Sequence, residues 1–137
     1  MFPDKLTLEI VTPDRLVVTE GVDEVILPSV DGYMGVRPGH APLLARLTVG
    51  EISYRVGTKH RYLAVAGGFA EVLHDSVEIL AETCEPAEEI DLERAKKASE
   101  RAKRRLEGDS SEIDFHRAEI SLKKALSRIQ IHDRVRG

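Results

Sequence analysis

A strand-rich domain over residues 1–85, built as a β-sandwich or flattened barrel and followed by an α-helical hairpin over residues 86–137, is the fold class this sequence predicts. Three observations predict it. Eight of the ten glycines and five of the six prolines fall before residue 86, where they punctuate turns and would break helices. Apolar and polar residues alternate with period two in that first part, the pattern of half-buried strands. Beyond it, apolar residues recur at helical spacing in a background dense in Ala, Lys, Arg and Glu.

Taken in order, β-prone runs fall at 6–11, 15–18, 23–27, 51–56, 61–66, 70–73 and 76–80. Leu6, Leu8 and Ile10 alternate with polar neighbours, as do Val77 and Ile79. Turn signals separate the runs: Pro13-Asp14, Glu20-Gly21, Val56-Gly57, Gly67-Gly68 and His74-Asp75. The segment from Gly32 to Gly50 holds four glycines and two prolines in nineteen positions. It reads as a shaped loop, with only Leu43 to Leu47 β-prone, and shaped loops commonly carry contacts. No helix-length periodicity interrupts the strands, which disfavours a doubly wound fold.

The second part reads as two helices. Asp91 is placed to cap the first, with Glu93 favourable to the dipole in its first turn. Leu92, Ala95, Ala98 or Ser99, Ala102 and Leu106 form its apolar stripe, and Gly108 stops it. Ser110 or Ser111 is placed to cap the second helix, whose stripe is Phe115, Ala118, Leu122, Ala125 and Ile129. Both stripes are alanine-rich, so the seam between the helices buries little area and predicts a hairpin that opens readily.

Composition excludes several function classes. Hydrophobic residues make up 42% but aromatics only 4%, so the core is aliphatic. The net charge of −4 argues against a general nucleic-acid binder. That charge is unevenly spread: residues 1–85 carry 7 Lys+Arg against 13 Asp+Glu, and residues 86–137 carry 13 against 11, which suggests two different partner surfaces. The single cysteine, Cys84, forms no internal disulfide, fits a reducing compartment and reads as inert. No apolar signal region follows Met1 and no run approaches a membrane span, so the expected location is cytoplasmic or bound to a membrane complex through partners.

Catalytic chemistry finds little footing. His40 lacks a second ligand at metal spacing, the other histidines (His60, His74, His116 and His132) being scattered, and it reads as a loop anchor. Gly67-Gly68 follows a strand and precedes another β-prone run, so it is read as close packing or a bulge and not as a phosphate cradle. On the hairpin, Asp91 with Arg94, Arg94 with Arg101, and Lys124 with Arg128 each share a helical face. An antiparallel hairpin turning near Ser110 sets Arg94 level with Lys124 to Arg128. Those cations suit a polyphosphate, and equally a solvated face with intrahelical pairs.

These residues, in this order, resemble the epsilon subunit of bacterial F-type ATP synthase over nearly the whole chain. The resemblance is carried by Val11-Thr12-Pro13-Asp14, by Pro38-Gly39-His40-Ala41-Pro42-Leu43-Leu44 at the end of the loop, by Ala66-Gly67-Gly68-Phe69-Ala70-Glu71-Val72, by Val77-Glu78-Ile79-Leu80, by Ile90-Asp91-Leu92-Glu93-Arg94-Ala95 and by Arg117-Ala118. It implies a two-layer β-sandwich of about ten strands followed by a C-terminal antiparallel α-helical hairpin. It implies a non-catalytic central-stalk subunit that binds the gamma subunit, rests on the c-ring and couples its proton-driven rotation to ATP synthesis. The implied location is the cytoplasmic face of the bacterial membrane, reached only through the complex. The implied c-ring contact is Asp31, Gly32 and Tyr33, although many relatives carry an acidic residue in place of Tyr33. The resemblance further implies that the hairpin extends toward the catalytic alpha/beta head to restrain hydrolysis; Arg101, Lys103, Arg104, Arg105, Lys123 and Lys124 are candidate contacts for that head, and equally a solvated helix surface. No cofactor is required, but a regulatory ATP is implied at Glu85, Asp91, Arg94, Arg101, Lys124 and Arg128. Lys124 stands where a nucleotide-binding relative has arginine; it keeps the charge and loses the planar fork.

Overall fold

A computed structural model describes residues 3–108 and 112–136 of the chain. The chain divides into two compact units, Met1–Pro86 and Ala87–Gly137. The first holds eight described strands in one hydrogen-bonded sheet: β1 (Leu6–Val11), β2 (Leu16–Val22), β3 (Glu24–Ser29), β4 (Gly32–Val36), β5 (Leu43–Val56), β6 (Lys59–Val72), β7 (Ser76–Ala81) and β8 (Cys84–Pro86). Their order is β2-β1-β7-β6-β5-β3-β4, with β8 pairing β6 beyond the end of β7. The pairings are antiparallel except β1 with β7, which run parallel.

The sheet folds over on itself as a sandwich around one aliphatic core. Leu6, Leu8 and Ile10 of β1, Leu27 of β3, Ile52 of β5 and Ile79 of β7 all belong to that core and are fully buried. Strands β5 and β6 span both layers. They stay in register over their whole length, from Leu43 opposite Val72 to Val56 opposite Lys59. On the far side, β5 slips against β3 between the Ile26–Ser53 and Ser29–Leu47 pairs, leaving extra residues on β5. A strand with surplus residues bends and twists there. Across the fold, the Tyr54 hydroxyl donates to Glu20 Oε2 at 3.0 Å and ties β5 to β2.

Two expectations from the sequence are corrected. The segment from Gly32 to Gly50 is not a loop throughout: its start is β4 and its end lies within β5, so the loop proper covers 37–42. Strand β4 tolerates its glycines because it lies at the end of the sheet. Gly67-Gly68 likewise does not separate two strands but lies within β6, with φ of +81° and +122°. There β6 hands over from β7 to β8 on the same edge, and Glu82 donates its N–H to Gly67 O at 3.2 Å while Ala66 donates to Thr83 O at 3.1 Å.

The end of the sandwich opposite the β3–β4 turn is fixed by a carboxylate. Asp23 accepts the Gly57 N–H at 2.6 Å and faces Lys5 Nζ at 2.9 Å and Arg55 at 3.7 Å. The Gly57 amide first, and then Lys5, hold its carboxyl below the usual aspartate range. A carboxyl lowered on folding stabilises the fold above its unfolded pKa, and that contribution is lost as pH falls through the folded value. Asp23→Asn is therefore expected to lower the urea midpoint near about pH 6 and to lower it by less as the pH falls toward about pH 3. Equal losses at both pH values would exclude the ionised carboxylate as the cause.

In the second unit, a short 3-10 turn (Ala87–Glu89) precedes α1 (Leu92–Glu107) and α2 (Glu112–Arg136). Asp91 caps α1, its Oδ1 accepting the Arg94 N–H at 3.1 Å. Gly108 ends the helix in an extended conformation, φ −84°, and donates to Arg105 O, so it stops the helix without the left-handed turn. Ser110 and Ser111 lie outside the described residues. The seam between the packed helices is small-sided, with Ala95, Ser99 and Ala102 buried on α1 and Ala118 and Ala125 on α2. Buried Ser99 satisfies its hydroxyl on Lys96 O at 2.8 Å. Phe115 departs from the expected stripe and is exposed, whereas Ile131, which the stripe omits, is buried.

Candidate interaction surfaces

Three regions carry the residues of interest. The first is the β3–β4 tip, where the turn between Ser29 and Gly32 is braced from within. Ser29 Oγ donates to Gly32 O at 2.6 Å and accepts the Asp31 N–H at 3.3 Å, and Val30 donates to Arg46 O at 2.9 Å. Gly32 takes φ +125°, which an L side chain resists, so the turn depends on it. Asp31 therefore projects from a rigid support, exposed to solvent. Tyr33 is 62% exposed, yet its hydroxyl accepts the Glu51 N–H at 3.0 Å. It braces the bend of β5, where Gly50 has room for no side chain: a Cβ would lie 2.7 Å from Pro28 Cβ and 2.8 Å from the Tyr33 hydroxyl. Asp31, Gly32 and Tyr33 are thus brought together at one tip, with Tyr33 partly committed to holding the fold.

The second region, which no sequence motif announced, is an outward face of the sheet. Register places Phe69 of β6 opposite Leu80 of β7, Leu80 opposite Val11 of β1, and Val11 opposite Leu16 of β2. Phe69 (51%), Leu80 (55%) and Leu16 (53%) are exposed and Val11 is half-buried, so an apolar row crosses four neighbouring strands. Scattered exposed apolar residues need no explanation, but a contiguous row on a domain with a closed core is a candidate interaction surface. Its members are far apart in sequence, and only cross-strand pairing aligns them.

The third region is the hairpin. Arg94 and Arg101 are exposed on α1, and Lys124 and Arg128 are half-buried on α2. Asp91 uses its carboxylate to cap the helix that carries Arg94. Glu85 lies apart from these in the chain division, on β8 of the first unit. Elsewhere, His40 contacts Ala41 O through Nδ1 at 2.7 Å, and the preceding Gly39 donates to His74 O at 2.7 Å, which anchors the 37–42 loop to the β6–β7 turn. Burial pushes the Cys84 thiol up to about 12, with Arg15 opposing and Glu85 reinforcing the shift, so Cys84 is a poor nucleophile. Among the described residues no group of three or more His, Cys, Asp or Glu could hold a metal ion, and no helix is long and apolar enough to cross a membrane.

Comparison with known proteins covers both units. Residues 5–87 match the family described as ATP synthase, Delta/Epsilon chain, beta-sandwich domain, and residues 88–132 match ATP synthase, Delta/Epsilon chain, long alpha-helix domain. The chain is 49% identical over 123 residues to the ATP synthase epsilon chain of Desulforamulus reducens, covering 90% of this chain and 93% of that one. It is 47% identical over 131 residues to the ATP synthase epsilon chain of Syntrophobacter fumaroxidans, covering 96% and 98%. Among solved structures it superposes, with a TM-score of 0.83 and 28% identity over 93% of this chain and 81% of the other, on a chain of the Euglena gracilis mitochondrial ATP synthase OSCP/F1/c-ring assembly. With both domains matched in order and relatives near half identity over almost the full length, the chain belongs to the ATP synthase delta/epsilon family.

Proposed function

We propose that this chain is the non-catalytic central-stalk subunit of an F-type ATP synthase, docked on the gamma subunit through its sandwich and reaching the c-ring through the tip at Asp31, Gly32 and Tyr33. It works at the cytoplasmic face of the membrane and meets that membrane only through the complex. The observation that carries this reading is the exposed apolar row of Leu16, Val11, Leu80 and Phe69 on a domain whose core is otherwise closed. A rotor subunit must be fixed to its shaft while a second site engages the ring, and the braced tip and the apolar row supply two such sites. Leu80→Glu tests it: binding of the full chain to purified gamma subunit, followed by surface plasmon resonance, is expected to weaken by at least about thirtyfold, the equivalent of a 2 kcal/mol anchor. An unchanged melting temperature separates lost docking from lost folding. Wild-type affinity in that variant would overturn the assignment of this face.

A second reading concerns the hairpin, and the exposure of Arg94 and Arg101 favours it. These cations, with Lys124 and Arg128, accept ATP as a regulatory ligand, and bound ATP favours the folded hairpin over the form that extends toward the catalytic head. Asp91 acts indirectly, by fixing the helix end that presents Arg94. Titration calorimetry of ATP against the full chain is expected to give saturable heat that Arg94→Ala abolishes. Absence of heat at millimolar ATP would leave these cations as contacts for the head.

A further inference from the structure

The sheet face that carries the apolar row also carries a line of like charges. Glu71 of β6 stands opposite Glu78 of β7, and Glu78 stands opposite Glu9 of β1. Each is flanked along its strand by buried residues: Ala70 and Val72, Val77 and Ile79, Leu8 and Ile10. All three carboxylates therefore point outward, two residues along from Phe69, Leu80 and Val11 on the same face. Glu71 and Glu78 are exposed, Glu9 is half-buried, and none of the three has an ion-pair partner among the described residues. Like charges placed directly opposite across strands destabilise a sheet. Two such pairs in succession oppose folding, and although Arg46 of β5 stands opposite Phe69 on this face, no ion pair among the described residues offsets them.

We infer that the Glu9–Glu78–Glu71 line is a charge rail that orients the stalk partner, whose docking surface carries an apolar strip flanked on one side by Lys or Arg residues. The inference rests on the central-stalk reading and adds to it the chemistry that the partner must have. Neighbouring strands lie about 4.8 Å apart, close to the roughly 5.4 Å rise of one helical turn. An amphipathic helix laid across β6, β7 and β1 presents about one cation per strand to the rail while its apolar stripe covers Phe69, Leu80 and Val11. Because the rail lies on only one side of the apolar row, a helix rotated end for end sets its cations on the wrong flank. The rail thus selects one orientation by repulsion as well as attraction. A second copy of this chain fits less well, since a two-fold axis across the row sets one acidic rail against the other and one along the row pairs neither rail with a line of cations.

The test is binding of the full chain to purified gamma subunit at low and high salt, for wild type, for Leu80→Glu and for the triple variant Glu9→Gln, Glu71→Gln, Glu78→Gln. Wild-type affinity is expected to fall steeply with salt. The triple variant is expected to bind at least about tenfold more weakly at low salt, with a flattened salt dependence, while melting at or above the wild-type temperature because the repulsion is gone. Wild-type affinity and salt slope in the triple variant would overturn the rail and leave the central-stalk reading intact. Failure of wild type itself to bind would overturn both. Sedimentation that shows a dimer of this chain, dissolved by Leu80→Glu, would assign the face to a second copy and likewise overturn the rail.

Discussion

Gly68→Ala is expected to destabilise the sandwich severely. A Cβ at this position would lie 2.2 Å from the Leu80 carbonyl oxygen and 2.8 Å from the Ala81 Cα, both backbone atoms of the paired strand β7. Neither can rotate away as a side chain could, so the two strands would have to separate where Gly68 pairs with Ala81. The backbone adds a second cost, because φ of +122° lies in territory that L residues avoid, at about 1–3 kcal/mol. Steric and conformational costs together are expected to exceed about 4 kcal/mol, against a total stability of about 5–15 kcal/mol for a typical domain. Soluble yield and the near-ultraviolet circular dichroism of the full chain measure this, and a wild-type melting curve would refute it. Gly35→Ala is the matched control: it sits on strand β4, and an added Cβ there meets nothing within 4 Å.

Ile79→Ala is expected to cost about 2–5 kcal/mol. Ile79 is fully buried on β7, between Ala70 on β6 and Ile10 on β1, so its truncation opens a cavity where two pairings meet. Leu80, the next residue, faces outward and is 55% exposed. Leu80→Ala is expected to shift the urea midpoint by less than about 0.5 kcal/mol equivalent. The adjacent pair therefore separates residues that hold the fold from residues that serve a partner. Equal losses at 79 and 80 would mean that the outward face is needed for folding.

The same alternation explains which parts of the fold were legible in the sequence. Strand β1 was readable to its ends, and β7 to within a residue, because Leu6, Leu8 and Ile10, and Val77 and Ile79, mark a single buried face. The full length of β5 and β6 was not readable. Gly50 and Gly67-Gly68 look like breaks, yet in these strands they provide clearance for Pro28 and Tyr33, for Glu82 and for the backbone of β7. Local sequence does not distinguish a glycine that ends a strand from one that lets a neighbour approach. Strand β8 is three residues long and ends in Pro86, too short to show a period. The resemblance drew attention to Asp31, Gly32 and Tyr33, whereas the role of Tyr33 in bracing the β5 bend depends on Glu51, eighteen residues away. The apolar row and the acidic rail were invisible for the same reason on a larger scale, since each is assembled from residues on different strands.

Strand β1 pairs in parallel with β7, so the earliest segment of the domain takes one of its two neighbours from nearly the last. On a ribosome, Leu6, Leu8 and Ile10 emerge long before Val77 and Ile79 are made. Until then β1 can pair only with β2, and one edge stays open. The β5–β6 hairpin closes a short turn and can form early, whereas the β1–β7 closure bears the entropy of a loop that spans most of the domain. Completion of the core must therefore wait until synthesis has passed Ala81, and the growing chain depends in the interval on β1 finding no other edge to join.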